Sequence, residues 1–237
     1  MAALALVIIL LSFVQSLFGV GLLVFGTPTL LLMGYSFDSA LAILLPSSIT
    51  VNCLQLINER ALIQREFFYK SWPLFFSIVI GLVFVLLLEL KIKMSFFIGL
   101  MLLLTAFIRS FDRSKKFLSR FILKYHFVYL VFMGFIHGLS NMGGAFLTIF
   151  VSSLYKEKRD IRLNISLFYL MMALVQLLTL GILRPHEFHL KMLLLIPISA
   201  MTFQIAGNRL FLRLPEFLFS KLITLFIFAY GIILTLK

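Results

Sequence analysis

Eight apolar runs divide the 237-residue chain, at about 3–34, 39–57, 67–88, 92–108, 126–155, 163–183, 190–206 and 217–236. Each is close to or above the roughly 20 residues that a helix needs to cross the hydrocarbon core of a bilayer. The pattern predicts an all-α polytopic membrane protein. The first and fifth runs are long enough to hold two short helices each, and both carry glycines and polar residues near their centres. A basic stretch separates four runs from four, with Arg109, Arg113, Lys115, Lys116, Arg120 and Lys124 against Asp112 alone. The expected organisation is a first repeat at 1–108, a basic cytoplasmic linker at 109–125 and a second repeat at 126–237.

The interruption of the fifth run reads HGLSNMGGAFLTIF, from His137 to Phe150. Helix-weakening glycines and polar side chains are costly at membrane depth, because backbone groups left unpaired there find no water. They are tolerated where the chain is buried in protein or lines a substrate pathway. A weaker copy occupies Gln15 to Pro28. The two align without gaps at an offset of 122, so that Gln15 falls on His137, Gly19 on Asn141, Gly21 on Gly143 and Asp38 on Asp160. After a one-residue slip Gln55 falls on Gln176. Matched interruptions in two halves are a sequence pointer to a transporter binding site.

Charge decides the threading. If all eight runs cross fully, the 21 Lys and Arg residues divide 12 to 9 between the two faces. If the first and fifth runs enter, turn at their glycines and leave on the same side, the division becomes 16 to 5. The second split is the one the positive-inside rule predicts. The expectation is therefore two inverted four-segment repeats with segments 1 and 5 as re-entrant helical hairpins, both termini outside, in the inner cell membrane.

Composition narrows the classes. With 62% hydrophobic and 13% charged residues, the chain is far from a soluble domain, which is about half apolar and a quarter charged. The net charge of +12 falls in the gaps between apolar runs, which is topology rather than nucleic-acid binding. Cys53 alone builds no disulfide framework. Residues 1–34 lack the basic n-region of a signal peptide and are expected to belong to the fold; the first basic residue is Arg60. The run Lys156 to Arg162 reads as a solvated topological anchor.

A half-helix that starts at membrane depth offers unpaired N–H groups and the positive end of its dipole. Such a start is expected at Ser140-Asn141, with Gly143-Gly144 admitting a ligand close to the backbone. Gly19, Gly21 and Gly26-Thr27-Pro28 offer another. Together they would cradle a small anion without a basic side chain. The candidate substrate-binding residues are Gln15, Gly19, Gly21, Thr27, Asn52, Gln55, His137, Ser140, Asn141, Gly143, Gly144 and Gln176. His137 is the one ionisable residue near the centre of an apolar run, Glu89 lying at a run's end, so it is the candidate proton carrier. A neutral imidazole bridging two helices is the competing reading. Ser12-xxx-Ser16 and Gly134-xxx-Gly138 read as helix-packing motifs. Pro28, Pro46 and Pro197 read as kinks or half-helix starts.

No nucleotide-binding motif, nucleophile–base set or metal-ligand set is legible, so neither an enzyme nor a cofactor-dependent protein is expected. The residues themselves point to a carrier of a small anion, for which a carboxylate would also serve, and the alternative is a non-transporting scaffold or assembly subunit. Gly19-Val20-Gly21 followed by Thr27-Pro28, and Gly138 to Gly144 followed by the Leu147-to-Tyr155 run and Arg159, resemble the two motifs of the sulfite exporter TauE/SafE family of bacterial permeases. The resemblance spans the whole chain in segment count, repeat and motif position. Leu22 and Ala145 depart from the family's usual glycine and proline. The resemblance implies a secondary transporter of sulfite, an organosulfonate or a related sulfur anion, with the bilayer as its other partner.

Overall fold

In the computed structural model, residues 60–70, 89–93, 214 and 237 lie outside the described part of the chain; Arg60 and Glu89 are among them. The described residues are helical, with no strand. Four stretches are long and apolar enough to cross a membrane: Phe37–Ile57, Lys158–Leu183, Leu190–Arg213 and Phe217–Thr235. The chain forms two compact units, and each draws on both halves of the sequence.

The first unit comprises residues 1–63 and 162–214. The first apolar run is here two helices, α1 (Ala2–Phe18) and α2 (Leu22–Leu32), of 17 and 11 residues. Both fall short of the roughly 20 residues of a spanning helix. α1 stops because Gly19 adopts φ 77, the left-handed conformation that glycine takes without a steric penalty. The chain then turns back: Gly21 abuts Leu11 and Gln15, and Gly26 abuts Leu11. α3 (Phe37–Glu59) packs along α2. It opens with Ser36 Oγ accepting the Ser39 N–H at 3.3 Å, and Asp38 in its first turn suits the helix dipole. Pro28 and Pro46 lie inside α2 and α3 and begin neither.

α9 (Lys158–Leu183) enters this unit at Arg162. The stretch Leu190–Arg213 is not one regular helix. A 3₁₀ segment (Leu190–Leu194) leads into α10 (Leu195–Thr202), a π turn (Phe203–Gly207) and α11 (Asn208–Arg213). The π turn brings Gly207 against Ser16, where an added Cβ would stand 2.1 Å from the serine Cβ. That contact requires glycine, and it places Ser16 in helix packing.

The second unit comprises residues 64–161 and 215–237. α4 (Trp72–Leu88) packs on α7 (His126–Ser140), and α5 (Met94–Ser110) on α12 (Glu216–Thr235). Small residues set the first pairing: Gly134 and Gly138 lie against the α4 backbone at Leu74 and Ile78, close enough to exclude any side chain. The basic linker is itself mostly a helix, α6 (Asp112–Lys124), with Phe117 and Phe121 exposed and Ile122 buried. The fifth apolar run divides into α7 and α8 (Gly143–Leu154), of 15 and 12 residues. α8 packs back along α7: the Tyr129 hydroxyl donates to the Phe146 carbonyl at 2.9 Å, and the Tyr129 and Phe150 rings stack at 5.7 Å.

Candidate functional site

In the first unit the turn between α1 and α2 is held from three sides. The Gln15 side chain carries most of the load. Its Oε1 accepts the Leu22 N–H at 3.0 Å and so caps the first residue of α2. Its Nε2 faces α3, donating to the Ser48 carbonyl at 3.1 Å and to Asn52 Oδ1 at 3.2 Å. Gln55 Nε2 reaches the Gln15 and Ser16 carbonyls at 3.2 and 3.3 Å, and its Oε1 accepts from Ser166 Oγ at 2.8 Å. Arg162 closes the third side. Its Nη1 donates to the Ser16 carbonyl at 3.0 Å, and its guanidinium lies 3.4 Å from the centre of the Phe211 ring. The carbonyls in the last turn of α1 are thus met by an amide and, at Ser16, by a cation as well, which also suits the negative end of the helix dipole.

In the second unit the turn between α7 and α8 repeats this geometry with different side chains. Asn141 has φ 65, the sole non-glycine positive φ among the described residues. Its N–H donates to the His137 carbonyl at 2.8 Å, as the Gly19 N–H donates to the Gln15 carbonyl at 2.8 Å. A left-handed residue costs most side chains about 1–2 kcal/mol, and asparagine is among the few that tolerate it. An added Cβ on Gly143 would stand 2.3 Å from His137 Cβ, as one on Gly21 would stand 2.5 Å from the Gln15 nitrogen. Gly19 pairs with Asn141, Gly21 with Gly143 and Gln15 with His137, the three correspondences that an offset of 122 predicts.

The two turns differ in one respect that bears on function. The first residue of α2 is capped by a glutamine side chain. The N-cap side chain itself caps neither helix, Gly21 before α2 or Met142 before α8, and in α8 the Ala145 N–H donates to the Met142 carbonyl at 3.0 Å. Met142, Gly143, Gly144 and Ala145 are all buried.

A family model described as sulfite exporter TauE/SafE matches residues 4–234. The chain belongs to this family. It is a multi-pass membrane protein of a permease family. No curated protein and no solved structure matches it.

Of the residues that the sequence nominates in this TauE/SafE protein, Gln15, Gly19, Gly21, Asn52 and Gln55 come together at the first turn. His137, Ser140, Asn141, Gly143 and Gly144 come together at the second. All but the glycines are spoken for in part: Ser140 Oγ, for example, returns to the Ile136 carbonyl at 2.8 Å. Thr27 is buried in α2, five residues beyond its first and about 8 Å along the axis. Gln176 is buried in α9, ten residues from the Ser166 that meets Gln55, or about 15 Å along that helix.

Three sequence expectations are corrected. The second half-helix does not start at Ser140-Asn141; the positive φ of Asn141 ends α7, and α8 starts at Gly143. Gly26-Thr27-Pro28 is not a second helix start, because all three lie inside α2. Arg162 is not a solvated anchor: it is 0% exposed and belongs to the first turn. A signal for Arg162 did exist. It shares a helical stripe with Ile165, Ser166, Tyr169, Ala173 and Gln176, all buried, whereas Lys156 and Arg159 are exposed.

Proposed function

We propose that this TauE/SafE protein is a secondary transporter of the inner membrane that moves a small sulfur oxyanion, such as sulfite or an organosulfonate, by alternating access. The observation that carries the reading is the start of α8. It lies in the middle of an apolar run, is buried, and begins with two glycines that let a ligand approach the backbone closely. Amides so placed favour an acceptor, and an anion with several oxygens satisfies two or three of them together with the helix dipole. The first turn is different in kind. There Gln15 Oε1 accepts the first N–H of α2, and Arg162 Nη1 donates to the Ser16 carbonyl of α1.

On this reading α1–α2 and α7–α8 are re-entrant hairpins of two inverted repeats. Three of their four helices, α2, α7 and α8 of 11, 15 and 12 residues, are too short to span, and this threading gives the 16-to-5 split of basic residues. Reporter fusions truncated at Lys115 and at Lys156 should then both read cytoplasmic. Opposite readings would return the two pairs to full crossings.

The deciding experiment is flux into proteoliposomes, comparing sulfite, sulfate, an organosulfonate and a carboxylate. Saturable flux of the sulfur anions over the carboxylate is the expected result, and flux of none of the four removes the proposal. Proton coupling runs through His137, which lies against Gly143 at the second turn. His137→Gln should therefore flatten the pH dependence of uptake between about pH 5 and 8. An unchanged pH profile in that variant assigns His137 to packing.

A further inference from the structure

Arg109 ends α5 as the first basic residue of the linker, where a solvated side chain is the ordinary expectation. It is instead 8% exposed. Its Nε donates to Thr224 Oγ1 at 3.1 Å and its Nη1 to Thr148 Oγ1 at 3.2 Å. A guanidinium carries five N–H donors, and both of these partners are neutral. Among the described residues no carboxylate pairs with it. A buried cation held by hydroxyls alone is costly unless an anion joins it.

The surroundings are built for one. A cavity of about 600 Å³ opens beside Arg109 and is lined also by Arg120, Lys156, Lys158, Tyr155 and Phe219. A second, of about 400 Å³, shares Arg109 and Ser220 and adds Lys221. Glu157 in the adjoining loop and Asp160 in the first turn of α9 line neither. Burial, reinforced by the Asp160 charge, holds the Tyr155 hydroxyl above the usual tyrosine range, so it stays a neutral donor. Size then narrows the ligand. Cavities of about 300–1,000 Å³ hold drug-sized molecules, which is far more room than a bare inorganic oxyanion fills. Ile108, Ile149 and Ile161 supply an apolar wall beside the cations.

We propose that Arg109 and the cavity beside it form an anion site of the second unit, separate from the α7–α8 turn, that takes an oxyanion carried on an organic body. The Arg109 guanidinium takes the oxyanion, Arg120 and Lys156 add charge at the rim, and the isoleucines cover the carbon part. A phosphate on a lipid headgroup and a free organic phosphate or sulfonate share this chemistry.

Thermal unfolding of the delipidated full-length protein in detergent tests the site without reference to transport. The probes are phosphatidylglycerol, phosphatidylcholine, glycerol 3-phosphate and ethanesulfonate. An anionic probe should raise the unfolding midpoint in a saturable way, and phosphatidylcholine should not. Arg109→Gln keeps a donor for Thr148 or Thr224 and should raise the half-saturating concentration at least tenfold. If that variant does not fold, the surface pair Arg120→Gln/Lys156→Gln should still raise it about threefold, as expected for lost charge-assisted contacts. A response to phosphatidylglycerol alone identifies a lipid headgroup, and a response to the soluble probes identifies a cytoplasmic organic anion. No response to any anionic probe, an equal response to phosphatidylcholine, or an unchanged half-saturating concentration in the variants overturns the site.

Discussion

Gly143→Ala should lower anion flux in proteoliposomes at least tenfold, with the protein still recovered from the membrane. The added methyl would stand 2.3 Å from His137 Cβ and 2.8 Å from Cγ. A Cβ cannot swing aside, so α8 must move away from α7. Overpacking of this kind costs about 1–3 kcal/mol, and about 1.4 kcal/mol is one factor of ten in a rate or binding constant. The displacement falls on the amides proposed to hold the anion. The collision is with a side chain, so it can be relieved from the other side: His137→Gly in the Gly143→Ala background should restore part of the flux driven by the anion gradient alone, at a single pH. Asn141→Gly is the control. It keeps the positive φ of 65 available, so it should retain flux if the residue serves to turn the chain. Wild-type flux in Gly143→Ala would leave the glycine pair with packing alone.

Gly21→Ala should be the more damaging change and should have no side-chain suppressor. Its methyl would lie 2.5 Å from the Gln15 nitrogen, 2.8 Å from Gln15 Cα and 2.8 Å from the Leu11 carbonyl oxygen. All three are backbone atoms of α1. Relief requires α2 to shift bodily, which stretches the 3.0 Å bond from the Leu22 N–H to Gln15 Oε1. A buried amide left unpaired costs about 1–3 kcal/mol, on top of an overpacking cost of about 1–3 kcal/mol. The unfolding midpoint of the purified protein should fall well below that of Gly143→Ala, and membrane yield with it. Equal midpoints for the two variants would mean that the first turn is no more rigid than the second.

The contrast between the two glycines shows which parts of the site a sequence displays. Both turns were legible because a helix break inside an apolar run needs unusual residues: a left-handed residue to end one helix, then a glycine for the close return. Gly19 with Gly21 and Asn141 with Gly143 are those residues, and their common spacing made the likeness of the two turns visible. The membrane class was legible for the same kind of reason, since length and hydropathy are properties of the local sequence. Thr27 shared the first motif without sharing its turn. It follows Gly21 too far along α2, at about 1.5 Å of rise per residue, to reach the break.

What the sequence by itself determined is the apolar helical segments, the breaks in the first and fifth runs and the residues that make those breaks possible, because each depends on neighbours within a turn or two. The helix of the basic linker and the π turn of the seventh run came only with the structure. What only the tertiary structure decided is what each polar side chain is for. Gln15 reads as a ligand group until Leu22, Ser48 and Asn52 are seen around it. Arg162 and Arg109 read as solvated charge until each is found buried, one against the Ser16 carbonyl and Phe211, the other between two threonines. Leu22 apart, these partners lie 33 to 146 residues away in the chain and leave no local signature. A buried polar group's role is set by which acceptors and charges the fold brings within about 3 Å of it, and that is a property of packing.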